Sequence, residues 1–414
     1  MKNALLIMAF ALRLLPRLST RDGDYLETGY SLFYHVTESL LSGRGFCVDN
    51  WMGVKCALWP PVYPLFLAVA TLGGRFGWTV VIAQALIGTG TAFISYLLAK
   101  HLFGERVGLI ALLITSVYPY YVWHDASLQE TSLFTFLTAL SVLLLIETGL
   151  KRRAWLSALA GVCLALSLLT RASLAPFIVV ALAWLLYTAG LRNTLPALIG
   201  FCLVVSPWII RNEILFGRLV LTSQAGHFLW IANNPDTFSR YPSASIDESE
   251  GVAWDHLSKA EQENILALGE MEQSDRFKDM GVAYIREHPT ETISNGLKKN
   301  LAGFSPVVNP SKGRMATIVN FASYFPVQML GLVGLLMKRR RPETLLVLGL
   351  ALSFMLLTGI FWAHTGHRSV LDVYFIVFAS PVILSLWEMV KGSYGTKQRP
   401  EIETHVPEYD ETLT

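Results

Sequence analysis

Ten runs of predominantly apolar residues, near 3–18, 79–102, 106–122, 128–149, 154–170, 174–189, 194–210, 316–337, 343–362 and 369–390, limit what this chain can fold into. A helix needs roughly 20 residues to cross ~30 Å of hydrocarbon, and these runs are of about that length or somewhat shorter. The chain is 53% hydrophobic and only 15% charged, with a mean hydropathy of +0.45, which excludes an ordinary soluble globular domain. The expected fold class is an all-α polytopic membrane protein of about ten transmembrane helices. A further run at 61–72 is short and flanked by proline, and reads as an interfacial or re-entrant helix.

The N-terminal run carries Lys2 and could be a signal peptide, but Arg13 and Arg17 interrupt it and no small-x-small cleavage pattern follows. An uncleaved first span is the better reading, with its arginines snorkelling to an interface or facing protein. Cytoplasmic loops should be rich in Lys and Arg. With Lys2 inside, Lys100, Arg106, Lys151 to Arg153, Arg192, Lys338 to Arg341 and Lys391 all fall inside, whereas the short outer loops hold only Arg171 and Arg368. Both termini are thus expected in the cytoplasm of a multi-pass plasma (inner) membrane protein. The net charge of +2 and the scattered basic clusters give no nucleic-acid stripe. The expected partners are the lipid bilayer and small polar molecules.

Four regions follow from this topology. Residues 1–210 form an N-terminal transmembrane module that includes a first external loop, 19–78, in which LETGYSLFYHVTESLL reads as a surface helix ended by Gly43. Residues 211–315 form a small α+β insertion. There RLVLTSQAGHFLWIANNP reads as a β-hairpin, and Ser258 with Glu261 reads as a helix capping box. Residues 316–390 are the C-terminal spans, and 391–414 is a polar, disordered tail. Cys47 and Cys56 share the first outer loop, so in an oxidising compartment they are expected to pair.

Asp22, Asp24 and Glu27 directly follow the first span, a costly place for acids unless they serve a purpose. Simple solvation of the span end, or capping of the loop helix, is the alternative. Glu130 sits at the outer mouth of the fourth span, where the helix dipole alone could account for it. Arg171, Arg211, His367 and Arg368 lie at outer span ends, against the positive-inside trend. Headgroup snorkelling explains many such arginines, yet guanidinium groups also bind phosphate bidentately. His367 reads more readily as a hydrogen-bonding residue than a catalyst, Trp51 and Trp59 read as interfacial aromatics, and Tyr63 shapes the loop over the cavity.

Several stretches, taken in order, resemble one family: an outer Asp after the first span, LLSGRGF, WPPVYPLFLA, ASLQETSLF, LTRASLAPF, PWIIRNEILFGRLVLTSQAGHFLWIANNP and HRSVLDVYFIVFASP. Together they look like the polyprenyl-phosphate-sugar-dependent glycosyltransferases of the GT-C superfamily, which include protein O-mannosyltransferases and lipid A aminoarabinose transferases. The resemblance implies transfer of a sugar from a polyprenyl-phosphate donor to a lipid, glycan or protein acceptor on the extracytoplasmic face, by an inverting single displacement. Here Asp24 stands about one helical turn further from LLSG than is usual. Asp22, Asp24 and Glu27 therefore share the candidacy for general base, with Asp24 favoured. The same resemblance implies a substrate-orienting role for Glu130 and phosphate binding by Arg368 and Arg171, with Arg211 less strongly placed. A divalent metal is compatible with this chemistry and not required by it. The competing class is a transporter or flippase of lipid-linked sugars, which predicts internal repeats and mid-membrane polar groups; the sequence has no such repeat, and its polar residues gather at the outer face.

Overall fold

The computed structural model describes residues 1–20, 25–26, 28–71, 76–361 and 365–396, with side chains described to residue 391. Asp22, Asp24 and Glu27 lie outside the described residues. The chain opens with α1 (Lys2–Leu18) and α2 (Ser31–Leu41), followed by a two-stranded antiparallel hairpin, β1 (Val48–Asn50) and β2 (Gly53–Lys55), and the short α3 (Val62–Thr71). Next come α4 (Trp78–Phe103), α5 (Glu105–Val117), α6 (Pro119–His124), α7 (Thr131–Lys151), α8 (Ala154–Leu168), α9 (Ala175–Ala189) and α10 (Leu191–Phe216). The insertion holds α11 (Ala225–Ala232), α12 (Glu250–Asp255), α13 (Lys259–Ala267), α14 (Glu270–Glu287) and α15 (Pro289–Gly303). The chain then returns through α16 (Arg314–Met337), α17 (Pro342–Ile360) and α18 (Thr365–Thr396).

Every one of the ten apolar runs is helical. Among the described residues, seven helical segments are long and apolar enough to cross a membrane by length and composition, while α8 is shorter. The run at 106–122 is divided, because Tyr118 turns extended ahead of Pro119 (φ −64°, ψ 113°) and Pro119 starts a separate helix. Backbones approach closely where glycines face neighbouring helices. A Cβ on Gly161 of α8 would lie 1.9 Å from the Ala197 carbonyl oxygen of α10, and one on Gly334 of α16 would lie 2.0 Å from that of Phe378 in α18. This is the small-residue contact by which helices associate in lipid, where no hydrophobic effect drives them together.

The insertion differs from expectation in one respect: the predicted hairpin over 218–235 is an irregular segment followed by α11. An apolar run this short does not separate strand from helix by periodicity. Packing decides it: His227, Trp230 and Ile231 are buried at helical spacing, and Gly226 lets α11 settle directly on the Ser274 carbonyl of α14. The β-pairing among the described residues lies instead in the first loop, where the hairpin is bridged by the Cys47–Cys56 disulfide. At Ser258 the hydroxyl accepts from the Glu261 backbone N–H at 3.2 Å, while the Glu261 carboxylate accepts from Arg276 at 2.7 Å.

The insertion and the first loop hold each other. Glu270 at the start of α14 accepts from the backbone N–H groups of Cys56 (2.7 Å) and Ala57 (3.0 Å), and the buried Lys55 donates to Gln273. On the other side Lys299 of α15 is fully buried, its ammonium donating to the carbonyls of Gly359 (3.3 Å) and Ile360 (3.2 Å) at the end of α17 and to Asn233 Oδ1 (3.4 Å). With neutral partners only, burial pushes Lys299 down from its ordinary 10.5 to about 7. The unfolded chain therefore holds a proton that the native chain lacks between those two values, so stability contributed by this group rises with pH across that window. We expect the thermal midpoint of the wild type in detergent to rise from pH 7 to pH 9 relative to that of Lys299→Met; parallel pH profiles for the two proteins would refute this.

Candidate active site at the insertion-bearing end of the bundle

Arg13 shows how the site is braced. It lies in the middle of α1 yet is fully buried, so it faces protein instead of snorkelling. Pro119 has no N–H to give the Thr115 carbonyl four residues earlier, and Arg13 Nη2 supplies one at 3.3 Å, while Nη1 reaches the Ser116 and Ala9 carbonyls. Its Nε donates to Asp125 Oδ2 at 2.6 Å. Gly88 leaves the space for this pair, since a Cβ there would lie 1.9 Å from the Asp125 carboxylate. Gln84 of α4 donates to the carbonyls of Asp125 (3.0 Å) and Ser127 (2.7 Å). The segment from 125 to 130 is thereby fixed, and Glu130 with it.

Glu130 is buried at the N-terminus of α7. Arg171, just after α8, donates to Glu130 Oε1 from Nε (2.9 Å) and Nη2 (2.6 Å), and its guanidinium lies 4.9 Å from the Phe134 ring centroid. Among the described residues, Arg171 Nη1 and Glu130 Oε2 remain buried without hydrogen-bond partners. A second ion pair sits on α18: Arg368 Nη1 lies 3.5 Å from Asp372 Oδ1, one helical turn on, and both side chains are 2% exposed. The Arg368 guanidinium lies over the Tyr324 ring, and its Nε and Nη1 have no hydrogen-bond partner among the described residues. Such buried donors are costly to leave unmade, which marks them as places where an anion would be welcome.

The short aromatic helix α6 joins the two pairs. Tyr118 donates to Asp372 Oδ2 (3.0 Å) and Tyr121 to the Ser369 carbonyl (2.8 Å). Tyr120, stacked 3.8 Å on His124, lies close enough to both Arg171 and Arg368 to feel their charge. His124 holds the Tyr120 carbonyl at 2.8 Å and faces Arg171 and Lys312. Arg171 and Arg368, nearly two hundred positions apart in sequence, thus meet around one helix. Opposite them, Tyr30 is tied by its backbone N–H to the Leu128 carbonyl at 3.1 Å. The charges of Asp247, Glu130 and Arg171 all reach its hydroxyl.

Not every predicted residue belongs to this group. Arg211 donates to Asn212 Oδ1 (2.7 Å) and packs 4.7 Å over the Trp208 ring, on the side of the disulfide hairpin. Tyr63 is fully buried, its hydroxyl donating to Gln84 Oε1 at 2.7 Å, so it supports the 125–130 segment from beneath. His367 occupies the first turn of α18, half-buried beside Arg368. Sequence reasoning missed Asp372, although an acid inside the apolar run 369–390 is itself a signal of function. It also missed α6 as the bridge. Among the described residues no three His, Cys, Asp or Glu side chains converge to hold a metal ion, and no step below is routed through one.

Residues 59–210 match the family model described as dolichyl-phosphate-mannose-protein mannosyltransferase. "Putative mannosyltransferase YkcB" of Bacillus subtilis (strain 168) is 28% identical over 157 residues, which are 37% of this chain and 20% of that protein. Among solved structures, the archaeal oligosaccharyltransferase AglB from Archaeoglobus fulgidus, in complex with an inhibitory peptide and a dolichol-phosphate, superposes with a TM-score of 0.55 at 11% identity, covering 97% of this chain and 52% of that one. The same oligosaccharyltransferase in complex with Zn and sulfate gives a TM-score of 0.53 at 14% identity, over 95% of this chain and 51% of that one. The chain therefore spans about half of the oligosaccharyltransferase and a fifth of the Bacillus protein. Its helices follow the oligosaccharyltransferase over nearly their whole course, well beyond residues 59–210, so the chain shares the fold of about half of that protein.

Proposed function

We propose that this protein is a membrane glycosyltransferase that takes a sugar from a polyprenyl-phosphate donor and passes it to a lipid, glycan or protein acceptor on the extracytoplasmic face. The observation that carries this reading is the approach of Arg368, which is buried, and Arg171, which is half-buried, to one short helix at the insertion-bearing end of a GT-C fold, each holding a buried N–H donor with no hydrogen-bond partner among the described residues. In glycosyl transfer from a phosphate, the bond from the anomeric carbon to the phosphate oxygen breaks with its electron pair leaving on the phosphate. That group needs cations more than a proton, and the two guanidinium groups supply them. The acceptor oxygen forms the new bond from the opposite face of the sugar and loses its proton to a carboxylate, which inverts the anomeric centre. Asp24 takes that role, adjacent in sequence to Tyr25, which is buried in one cluster with Tyr63 and Leu128. Glu27 and Asp22 are the alternates. Glu130, held by Arg171, orients that arginine and a substrate hydroxyl.

A reconstituted system separates this from the transport of lipid-linked sugars. In proteoliposomes carrying polyprenyl-phosphate sugars and a cell-envelope extract as acceptor, the transferase severs the sugar from its lipid; recovery of intact donor, merely moved between leaflets, would refute the reading. The sidedness can be measured in the same membranes. Single cysteines placed at 150–153 and at 240–260, in a background free of other reactive thiols, should be labelled by impermeant thiol reagents from opposite sides, and labelling from one side would overturn the ten-span topology.

A further inference from the structure

The ion pairs described above account for a phosphate, but nothing among them recognises a sugar ring. Next to them the first loop and the insertion close around a group with different chemistry. Tyr30, which remains 41% exposed, lies 6.4 Å from Trp59, and Trp59 lies 5.4 Å from Phe33 and 6.1 Å from Phe228 of α11. The Trp59 indole N–H is buried and has no hydrogen-bond partner among the described residues. From the insertion, the 3₁₀ turn at Asp247–Ser249 packs on α11 and brings Asp247 close enough to Tyr30 for its charge to act on the phenol. Asp247 Oδ1 is likewise buried and, among the described residues, unpartnered. Its neighbour Glu250 is turned away, 2.9 Å from His227 Nε2.

We propose that Tyr30, Trp59 and Asp247 form a sugar-ring subsite, in which the aromatic side chains meet the C–H face of a pyranose and the Asp247 carboxyl and Trp59 indole hydrogen-bond its hydroxyls. This rests on the glycosyltransferase reading, which supplies the sugar. Each unpartnered group fits the assignment. A buried indole N–H wants an oxygen acceptor, a buried carboxyl oxygen wants a donor, and a sugar hydroxyl is both. Aromatic rings offer the flat apolar surface that the ring carbons of a sugar can cover. The position is also right, because the charges of Asp247, Glu130 and Arg171 all reach the Tyr30 phenol, so a sugar held there borders the Arg171 guanidinium assigned to the phosphate. Burial, then Glu250, push Asp247 up to about 7, and a carboxyl in either protonation state keeps an oxygen for a hydroxyl donor. The subsite is built jointly by the first loop and the insertion, which gives the Glu270 and Lys55 contacts between them a purpose beyond stability.

The test compares the affinity of full-length protein in detergent for bare undecaprenyl phosphate and for its mannosyl, glucosyl and N-acetylglucosaminyl forms. The wild type should prefer at least one glycosylated lipid over the bare lipid by about tenfold, the scale of one net hydrogen bond. Asp247→Ala, which removes the acceptor oxygen, should bring that ratio close to one while leaving affinity for the bare lipid within about twofold, and Trp59→Phe should lower the ratio in the same sense. Retained bare-lipid binding shows that each variant is folded. A ratio unchanged in Asp247→Ala, or equal wild-type affinity for all four lipids, overturns the subsite and leaves the transferase reading standing. A wild type that binds none of the four overturns the transferase reading and the subsite with it.

Discussion

Replacement of Asp24 by Asn should lower turnover by about 10²–10⁴-fold, the usual contribution of a general base, and leave donor binding nearly unchanged. Asn keeps the shape and removes the proton acceptor. Arg368→Ala should behave differently, because it deletes a guanidinium that the account places on the donor phosphate. Loss of a charged hydrogen bond is worth ~1.5–3 kcal/mol, or roughly 10- to 150-fold in affinity. Turnover and equilibrium binding of a polyprenyl-phosphate sugar, measured on both variants after checking their thermal midpoints, separate the two roles. Full activity in a folded Asp24→Asn protein passes the role of base to Glu27 or Asp22. Full activity in each of Asp22→Asn, Asp24→Asn and Glu27→Gln removes the mechanism.

The largest effect on stability is expected at the Arg13–Asp125 pair. Both side chains are essentially inaccessible, at 0% and 3% exposure. Asp125→Ala would leave a buried guanidinium with no counter-charge, at a cost of about 3–5 kcal/mol. Arg13→Met together with Asp125→Leu should recover much of that loss, since an apolar replacement of a whole buried pair is often close to neutral. It should not recover activity, because the pair also sets the segment that carries Glu130. Thermal unfolding in detergent alongside a turnover assay would show this split; equal melting of Asp125→Ala and wild type would contradict it.

The helices were legible in the sequence because a run of apolar residues near membrane length has few other fates. The division at Pro119 was not read, although proline can neither continue the hydrogen-bond ladder nor follow a helical neighbour comfortably. The insertion was harder. HFLWIAN carries too few residues to show a period, and its packing on α14 through Gly226, His227 and Trp230 makes it a helix. In the site, the residue types could be read but not their pairings. Arg171, Arg368 and Glu130 drew notice singly; Asp372, one turn after Arg368 on the same helix, was open to reading from its spacing and was missed, whereas the pairing of Arg171 with Glu130 and the place of α6 beside both arginines follow from how distant spans pack. Arg13 could be read only as an awkward charge in a span, because the acid that explains it lies 112 positions away.

The central claim is that the bond between sugar and lipid phosphate is broken here. Protein purified in detergent, supplied with polyprenyl-phosphate sugars and an envelope extract as acceptor, should release bare polyprenyl phosphate in step with sugar appearing on the acceptor with inverted anomeric configuration, as read by mass spectrometry and NMR. Wild-type protein that binds the donor yet returns it unbroken with every sugar and acceptor supplied would contradict the account.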